Sequence, residues 1–185
     1  VIPRGGRGLV EFIKSEAKVP VFAHLEGIVH IYVHDKADLD VAKTVVQNSK
    51  SRRPGICGAV ETLLIDKEFY KKHGNALIDF LITQGIEIRA DKGLFNSEYI
   101  VGVSESDYGF EFLENILAVK VVPDIDRAIS HIRYFGSNHT DCILTEDKSA
   151  RDIFFKKLDS SILLCNASTQ FADGGEFGFG AEIGI

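Results

Sequence analysis

The sequence has no methionine and no tryptophan, and only four prolines and three cysteines among its 185 residues. A complete translated chain begins with methionine, so a first residue of Val1 leads us to expect a piece of a longer polypeptide. Cys57, Cys142 and Cys165 are odd in number and widely spaced, which excludes a disulfide framework and makes a reducing, cytoplasmic setting the expectation. No apolar run approaches the ~20 residues a membrane-spanning helix needs, and no signal-peptide pattern opens the chain. There is no basic block either. With a net charge of −6, nucleic acid is excluded as the expected partner.

What is present is an apolar content of 45%, enough for one well-buried core. Apolar runs of strand length alternate with segments of helical periodicity. Strands are expected at Val19–Ala23, Ile28–Val33, Glu61–Asp66, Glu87–Ala90, Tyr99–Val103, Ile116–Val122, Cys142–Leu144 and Ser161–Cys165. Helices are expected from Leu9, from Asp38 as N-cap, over Phe69–Leu81 with Gly85 as C-cap, from Asp124 to a stop at Gly136, and over Glu146–Leu158. Such alternation predicts an α/β fold, three layers α/β/α around a largely parallel sheet. His30 and His34 are four apart, but a turn at Asp35-Lys36 keeps them off one helical face, so no metal site is predicted.

The stretch that organises the chain is Arg52-Arg53-Pro54-Gly55-Ile56-Cys57-Gly58. A cysteine between a proline-glycine turn and another glycine sits on backbone that a ligand can approach closely. Two arginines just upstream favour thiolate over thiol, and the thiolate is the nucleophile. The alternative is a partly buried loop cysteine behaving as a small hydrophobe. Cys142 and Cys165 lie inside apolar strands and are expected to be inert. Arg4-Gly5-Gly6-Arg7-Gly8 opens into a helix, which suits a phosphate, or is an ordinary strand-to-helix turn. The run from Asn166 carries polar groups first and then four glycines between Gly174 and Gly180, a composition that suits wrapping an anionic ligand. Ligands of parallel sheets sit outside the carboxyl ends of strands. The loops of Cys57 and Asn166 are expected to meet there in one cleft.

Several separated motifs carry a resemblance. Ile2-Pro3-Arg4-Gly5-Gly6, Arg53-Pro54-Gly55-Ile56-Cys57 followed by Glu61-Thr62-Leu63-Leu64, Asp141-Cys142-Ile143-Leu144-Thr145, and the run from Asn166 to Gly184 stand in the order seen in the γ-glutamyl phosphate reductases. Over its whole length the chain resembles that family, a branch of the aldehyde dehydrogenase superfamily. The resemblance implies the end of a cofactor domain over residues 1–26 and an aldehyde-dehydrogenase-like catalytic domain over 27–185. It also implies a homo-oligomeric full-length enzyme. The implied activity is NADPH-dependent reduction of γ-glutamyl phosphate to glutamate 5-semialdehyde, in proline biosynthesis.

By the same resemblance Cys57 is the nucleophile, and its own N–H is one of the oxyanion donors. Arg4, Gly5 and Gly6 lie where the pyrophosphate of the cofactor passes, and Glu111 lies where its nicotinamide ribose is held. Asn166, Ser168, Thr169, Gly174 and Gly175 are expected at the substrate. Gln170 departs from the family, which usually carries arginine there, and a neutral amide cannot clamp an anion as arginine does. An inactive fragment of that enzyme, which folds or associates without catalysing anything, is the alternative.

Overall fold

The fold is taken from a computed structural model that describes every residue except Arg4, His24, Leu25 and 181–185, and every remaining side chain except that of Arg7. After helix α1 (Arg7–Glu16) the chain builds β1 (Val29–Val33), α2 (Leu39–Ser51), β2 (Val60–Asp66), α3 (Lys67–Thr83), β3 (Glu87–Ala90), β4 (Val101–Gly102), β5 (Ile116–Val122), α4 (Ile125–Phe135), β6 (Thr140–Leu144), α5 (Lys148–Lys157) and β7 (Ile162–Cys165). The seven strands form one sheet in the order β4-β3-β5-β2-β1-β6-β7. Every pairing in it is parallel, a stricter arrangement than the largely parallel sheet expected.

Local chemistry starts the helices. Asp38, Asp66, Asp124 and Asp147 each accept a backbone N–H of the first turn of α2, α3, α4 and α5. Each such cap is worth about 1 kcal/mol. Gly85, at φ +79°, ends α3 in the left-handed region that a residue with a Cβ enters only at a cost.

Helices α2 and α3 cover one face, where Val46, Phe69, Leu77 and Leu81 pack on Ile31, Leu63 and Ile65. Helices α4 and α5 cover the other, with Ile129, Ile132 and Phe154 on Tyr32, Leu64 and Ile143. Crossovers through α2 and α3 step from β1 toward β3, and those through α4 and α5 step back toward β7. Right-handed crossovers place helices on opposite faces under those two senses of travel. The three-layer expectation therefore holds. Central strands β1 and β2 are buried along their whole length, as parallel strands covered on both sides must be.

Two expectations need correction. Val19–Ala23 is not a strand. Val19 and Phe22 are exposed, and among the described residues the segment bonds to the chain start, Phe22 N–H to Val1 O at 2.9 Å. Its apolar residues have no sheet edge to join. The strand expected over Tyr99–Val103 shrinks to Val101–Gly102, both exposed at the margin of the sheet. Among the described residues no helix is long and apolar enough to cross a membrane.

Candidate active site

Cys57 lies three residues before β2, so it stands at the amino end of the sheet and not at a carboxyl end. Helix α2 runs back along the sheet to this end, and the chain must turn here to enter β2. The thiol is exposed, whereas Gly58, Ala59 and Val60 directly after it are buried. Gly27, before β1, lies flat against the loop. A Cβ built on Gly27 would stand 2.3 Å from the Cys57 carbonyl oxygen and 2.8 Å from its Cα. No side chain fits between the two backbones, which is why that position needs glycine.

The Gly27 N–H donates to Glu111 Oε1 at 3.0 Å, which ties Glu111 to the platform under Cys57. Glu111 also lines a hollow of about 390 Å³ together with Gly5, Gly6, Glu26, Phe110 and Leu113. Gly6 is the N-cap of α1 and has no side chain capping it; a Cβ there would meet nothing within 4 Å. Three residues expected at the cofactor, Gly5, Gly6 and Glu111, thus share one cavity. Arg4 lies outside the described residues.

The run after β7 takes an unexpected path. Asn166 holds φ +52° and turns the chain sharply. Its Oδ1 accepts the Thr145 N–H at 2.9 Å and its Nδ2 donates to the Thr145 carbonyl at 2.9 Å. Asn166 therefore occupies the carboxyl end of the sheet, level with the end of β6. Val29 pairs with Val60 and Val33 with Leu144, so about 15 Å of strand rise separates it from the Cys57 loop. The fold therefore does not bring Asn166 beside Cys57. From Asn166 the chain crosses the α2 face, passing Cys142, whose Sγ faces the Ala167 carbonyl at 3.3 Å, and reaches the amino end at Thr169. A Cβ on Gly58 would lie 3.2 Å from the Thr169 carbonyl oxygen. The two loops do meet, but at the end opposite to the one expected.

Ser168 and Thr169 are buried and turned toward α2. The Ser49 hydroxyl donates to Ser168 Oγ at 3.2 Å and accepts the Thr169 N–H at 3.0 Å. These bonds, from the Ser168 hydroxyl and the Thr169 backbone, tie the tail to α2. Gln170 is buried as well. Its Nε2 donates to the carbonyls of Ser49 at 2.8 Å and Arg53 at 3.3 Å, capping the end of α2 instead of facing an anion. Gly174 is buried and Gly175 exposed, in a turn whose Glu176 pairs with Arg52. Arg52 also lies over the Phe171 ring at 5.9 Å. Of the two arginines expected to favour the thiolate, Arg52 is thus neutralised by Glu176, and Arg53 is exposed with no ion pair to a described residue.

The other thiols behave differently. Burial pushes the Cys142 thiol up to about 12 and also raises that of half-buried Cys165. Of the histidines once weighed for metal, His30 is buried beside Asp141, Nδ1 to Oδ1 3.3 Å, and His34 Nδ1 bonds Thr145 Oγ1 at 2.9 Å. The described residues hold no group of three or more metal-ligating side chains.

No protein-family model matches the chain. A relative from Rhodopseudomonas palustris, a γ-glutamyl phosphate reductase, is 53% identical over 186 residues; the match covers all of this chain and 43% of the relative. A crystal structure of γ-glutamyl phosphate reductase from Thermotoga maritima superposes with a TM-score of 0.93 at 41% identity, over all of this chain and 45% of that one. Over its whole length the chain is similar to the γ-glutamyl phosphate reductases. An acetylating aldehyde dehydrogenase from Geobacillus thermoglucosidasius, at 20% identity and a TM-score of 0.72 over 95% of this chain and 47% of that one, shares the fold. The chain spans less than half the length of the curated γ-glutamyl phosphate reductases it matches.

Sequence reasoning missed three features of the candidate site. Gly27 is one, because nothing in a lone glycine announces what lies above it. The others are Lys50 and Glu61, an ion pair of 2.6 Å with both side chains completely buried. Their signal was present in the sequence: a carboxylate inside an otherwise apolar strand run, and a lysine beside Ser49 on the inward side of α2.

Proposed function

We propose that this chain carries the nucleophile and part of the cofactor cleft of an NADPH-dependent γ-glutamyl phosphate reductase of the cytoplasm. The observation that carries the proposal is the exposed Cys57 thiol on a backbone platform shared with Glu111, next to a hollow lined by Gly5 and Gly6. The Cys57 thiolate attacks the acyl phosphate carbonyl and a Cys57 thioester forms as the C–O bond to phosphate breaks. Phosphate is a good leaving group, so no water-activating base is required. The Cys57 N–H, on backbone fixed by Gly27, donates to the oxyanion of the attack.

The lining of the hollow suits a phosphate and a ribose of a dinucleotide. Gly6 leaves the first N–H groups of α1 uncapped, an arrangement suited to phosphate, and Glu111 keeps Oε2 for a ribose hydroxyl while Oε1 holds Gly27. When bound, NADPH supplies the hydride that converts the thioester to a thiohemiacetal. Collapse of that adduct returns the Cys57 thiolate and releases glutamate 5-semialdehyde. Gly174 and Gly175 are assigned to the substrate side through their turn on Arg52. Homo-oligomerisation belongs to the same proposal, for the whole enzyme.

The test is Cys57→Ser in the full-length protein. Phosphate- and NADP-dependent oxidation of glutamate 5-semialdehyde is expected to fall at least ~1000-fold, the scale of losing a covalent nucleophile. Retention of a tenth or more of the rate would overturn the assignment.

A further inference from the structure

The Lys50–Glu61 pair has no place in that chemistry, yet it is buried at the base of the site. Taking two charges out of water is costly, and an apolar pair of similar volume is often as stable. Burial raises the Glu61 carboxyl to about 7 and lowers the Lys50 ammonium, so desolvation outweighs their mutual attraction. A fully buried ion pair calls for a physical reason besides stability.

Its surroundings supply one. Lys50 closes α2 just before the Cys57 loop, and Glu61 stands four residues after Cys57. Oε2 of Glu61 takes the lysine, while Oε1 has no partner within bonding geometry. The backbone of Phe112 and Leu113 faces the carboxylate and favours its ionised form. Leu113 sits at φ +58°, strained for a residue with a Cβ, and its carbonyl oxygen would be 3.8 Å from a Cβ on Gly55 in the Cys57 loop. Two residues before Leu113 is Glu111, bonded to Gly27. The carboxylate thus attracts the dipoles of a strained turn that carries Glu111 on one side and touches the nucleophile loop on the other.

We propose that Lys50 and Glu61 are a positioning pair: the buried carboxylate, held by Lys50, keeps the 111–113 turn in its strained form and so keeps Glu111 and the Cys57 platform in one cleft. This deepens the reductase proposal and rests on it only for the identity of the bound molecules. Neither residue touches substrate. A replacement that preserves packing removes the hold and leaves the fold.

The test uses the intact protein with Lys50→Met/Glu61→Met and, separately, Glu61→Gln. Three readouts are followed: melting temperature, amide exchange of the 109–115 peptide, and the rate at which iodoacetamide labels Cys57. The expected result for the double variant is a melting temperature within a few degrees of the parent. Exchange of the 109–115 peptide is expected to be at least about tenfold faster, with the Cys57 labelling rate shifted at least about threefold. Glu61→Gln, which keeps one acceptor oxygen, should fall between. If the double variant does not fold, Glu61→Gln alone decides, by faster 109–115 exchange in a folded protein. Parental exchange and labelling in a folded variant would overturn the proposal, as would exchange that rises equally over the whole sheet. None of these readouts uses substrate or cofactor, so failure of the reductase assignment would show separately, in the Cys57→Ser assay.

Discussion

The two ends of this parallel sheet are built on opposite plans. At the carboxyl end, Asn166 is bonded on both sides of its amide to Thr145, and His34 is bonded to Thr145 Oγ1. What remains there is a hollow of about 170 Å³ between Thr145, Glu146, Arg151 and Asn166. At the amino end, bare backbones are pressed together, Gly27 on Cys57 and Gly58 on Thr169, and the thiol is left outward. Polar side chains that satisfy one another are finished structure. Backbone packed so closely that only glycine fits, with a nucleophile exposed above it, is a site. If the proposed site is right, ligands of this sheet gather at its amino end, not at the carboxyl end that parallel sheets favour. The glycine-rich tail itself crosses the sheet to reach the end with the chemistry.

The largest expected effect tests the platform. Gly27→Ala places a methyl carbon where the Cys57 backbone already lies, 2.3 Å from its oxygen, and backbone cannot swing aside as a flexible side chain can. The loop has to lift, at a cost of roughly 2–4 kcal/mol in stability, and semialdehyde oxidation is expected to fall at least 100-fold. Gly85→Ala, which meets nothing within 4 Å but carries φ +79°, is the control. It should cost about 1 kcal/mol and leave the turnover of folded protein unchanged. Equal losses of turnover in the two variants would dissolve the contrast between platform and ordinary glycine.

How far the sequence reached follows the same division. The elements are legible because each signal is local: an aspartate before each of α2 to α5, a glycine past α3, unbroken apolar runs for strands covered on both faces. Cys57 is legible for the same reason, since its flanking glycines and proline act on their own neighbours. The roles of Ser168, Thr169 and Gln170 are not, because Ser49, their common partner, is about 120 residues away in the chain. Composition makes a polar run look like a ligand shell whether its groups turn toward a ligand or toward a helix end. The path after Asn166 was hidden for a related reason: only its backbone angle decides that the chain turns back there. The activating role given to Arg52 overlooked Glu176, 124 residues further on, for want of any local sign of the pairing.

A smaller effect separates the ends by pH. His131 on α4 is buried against Tyr108 and Phe135, near the amino-end turn, and burial first, then His30 and Lys120, hold its imidazole down at about 3. An unfolded histidine titrates near its ordinary value of 6.5. As pH falls below that value, the unfolded chain takes the proton and the folded one does not. Stability is therefore lost progressively from about pH 6.5 down to about pH 3 and is unaffected above. At pH 5 the loss is about 2 kcal/mol, 1.5 units at 1.36 kcal/mol each. His131→Leu should flatten that acid slope in denaturant titrations at pH 7 and pH 5. In the parent protein, exchange of the 105–113 segment should quicken in acid before that of 143–147. A parallel slope in His131→Leu would sink the assignment.

The smallest effect on the Cys57 chemistry is expected at the carboxyl end, and its smallness is the point. Asn166→Ala removes two hydrogen bonds to the Thr145 peptide and puts a less tolerant residue at φ +52°. The expected loss is about 2–3 kcal/mol at most, from about 1 kcal/mol per bond and a further fraction for the backbone. Asn166→Gly keeps the turn and loses only the bonds, so it should retain part of that stability if the positive φ matters. For both variants the Cys57 labelling rate and the KM for semialdehyde should stay at the parental values, because about 15 Å of sheet separates Asn166 from the thiol. A raised KM in Asn166→Gly, in protein shown to be folded, would return this residue to the substrate and with it the carboxyl end of the sheet. An unchanged KM leaves Asn166 as the bend that sends the tail across to Gly58.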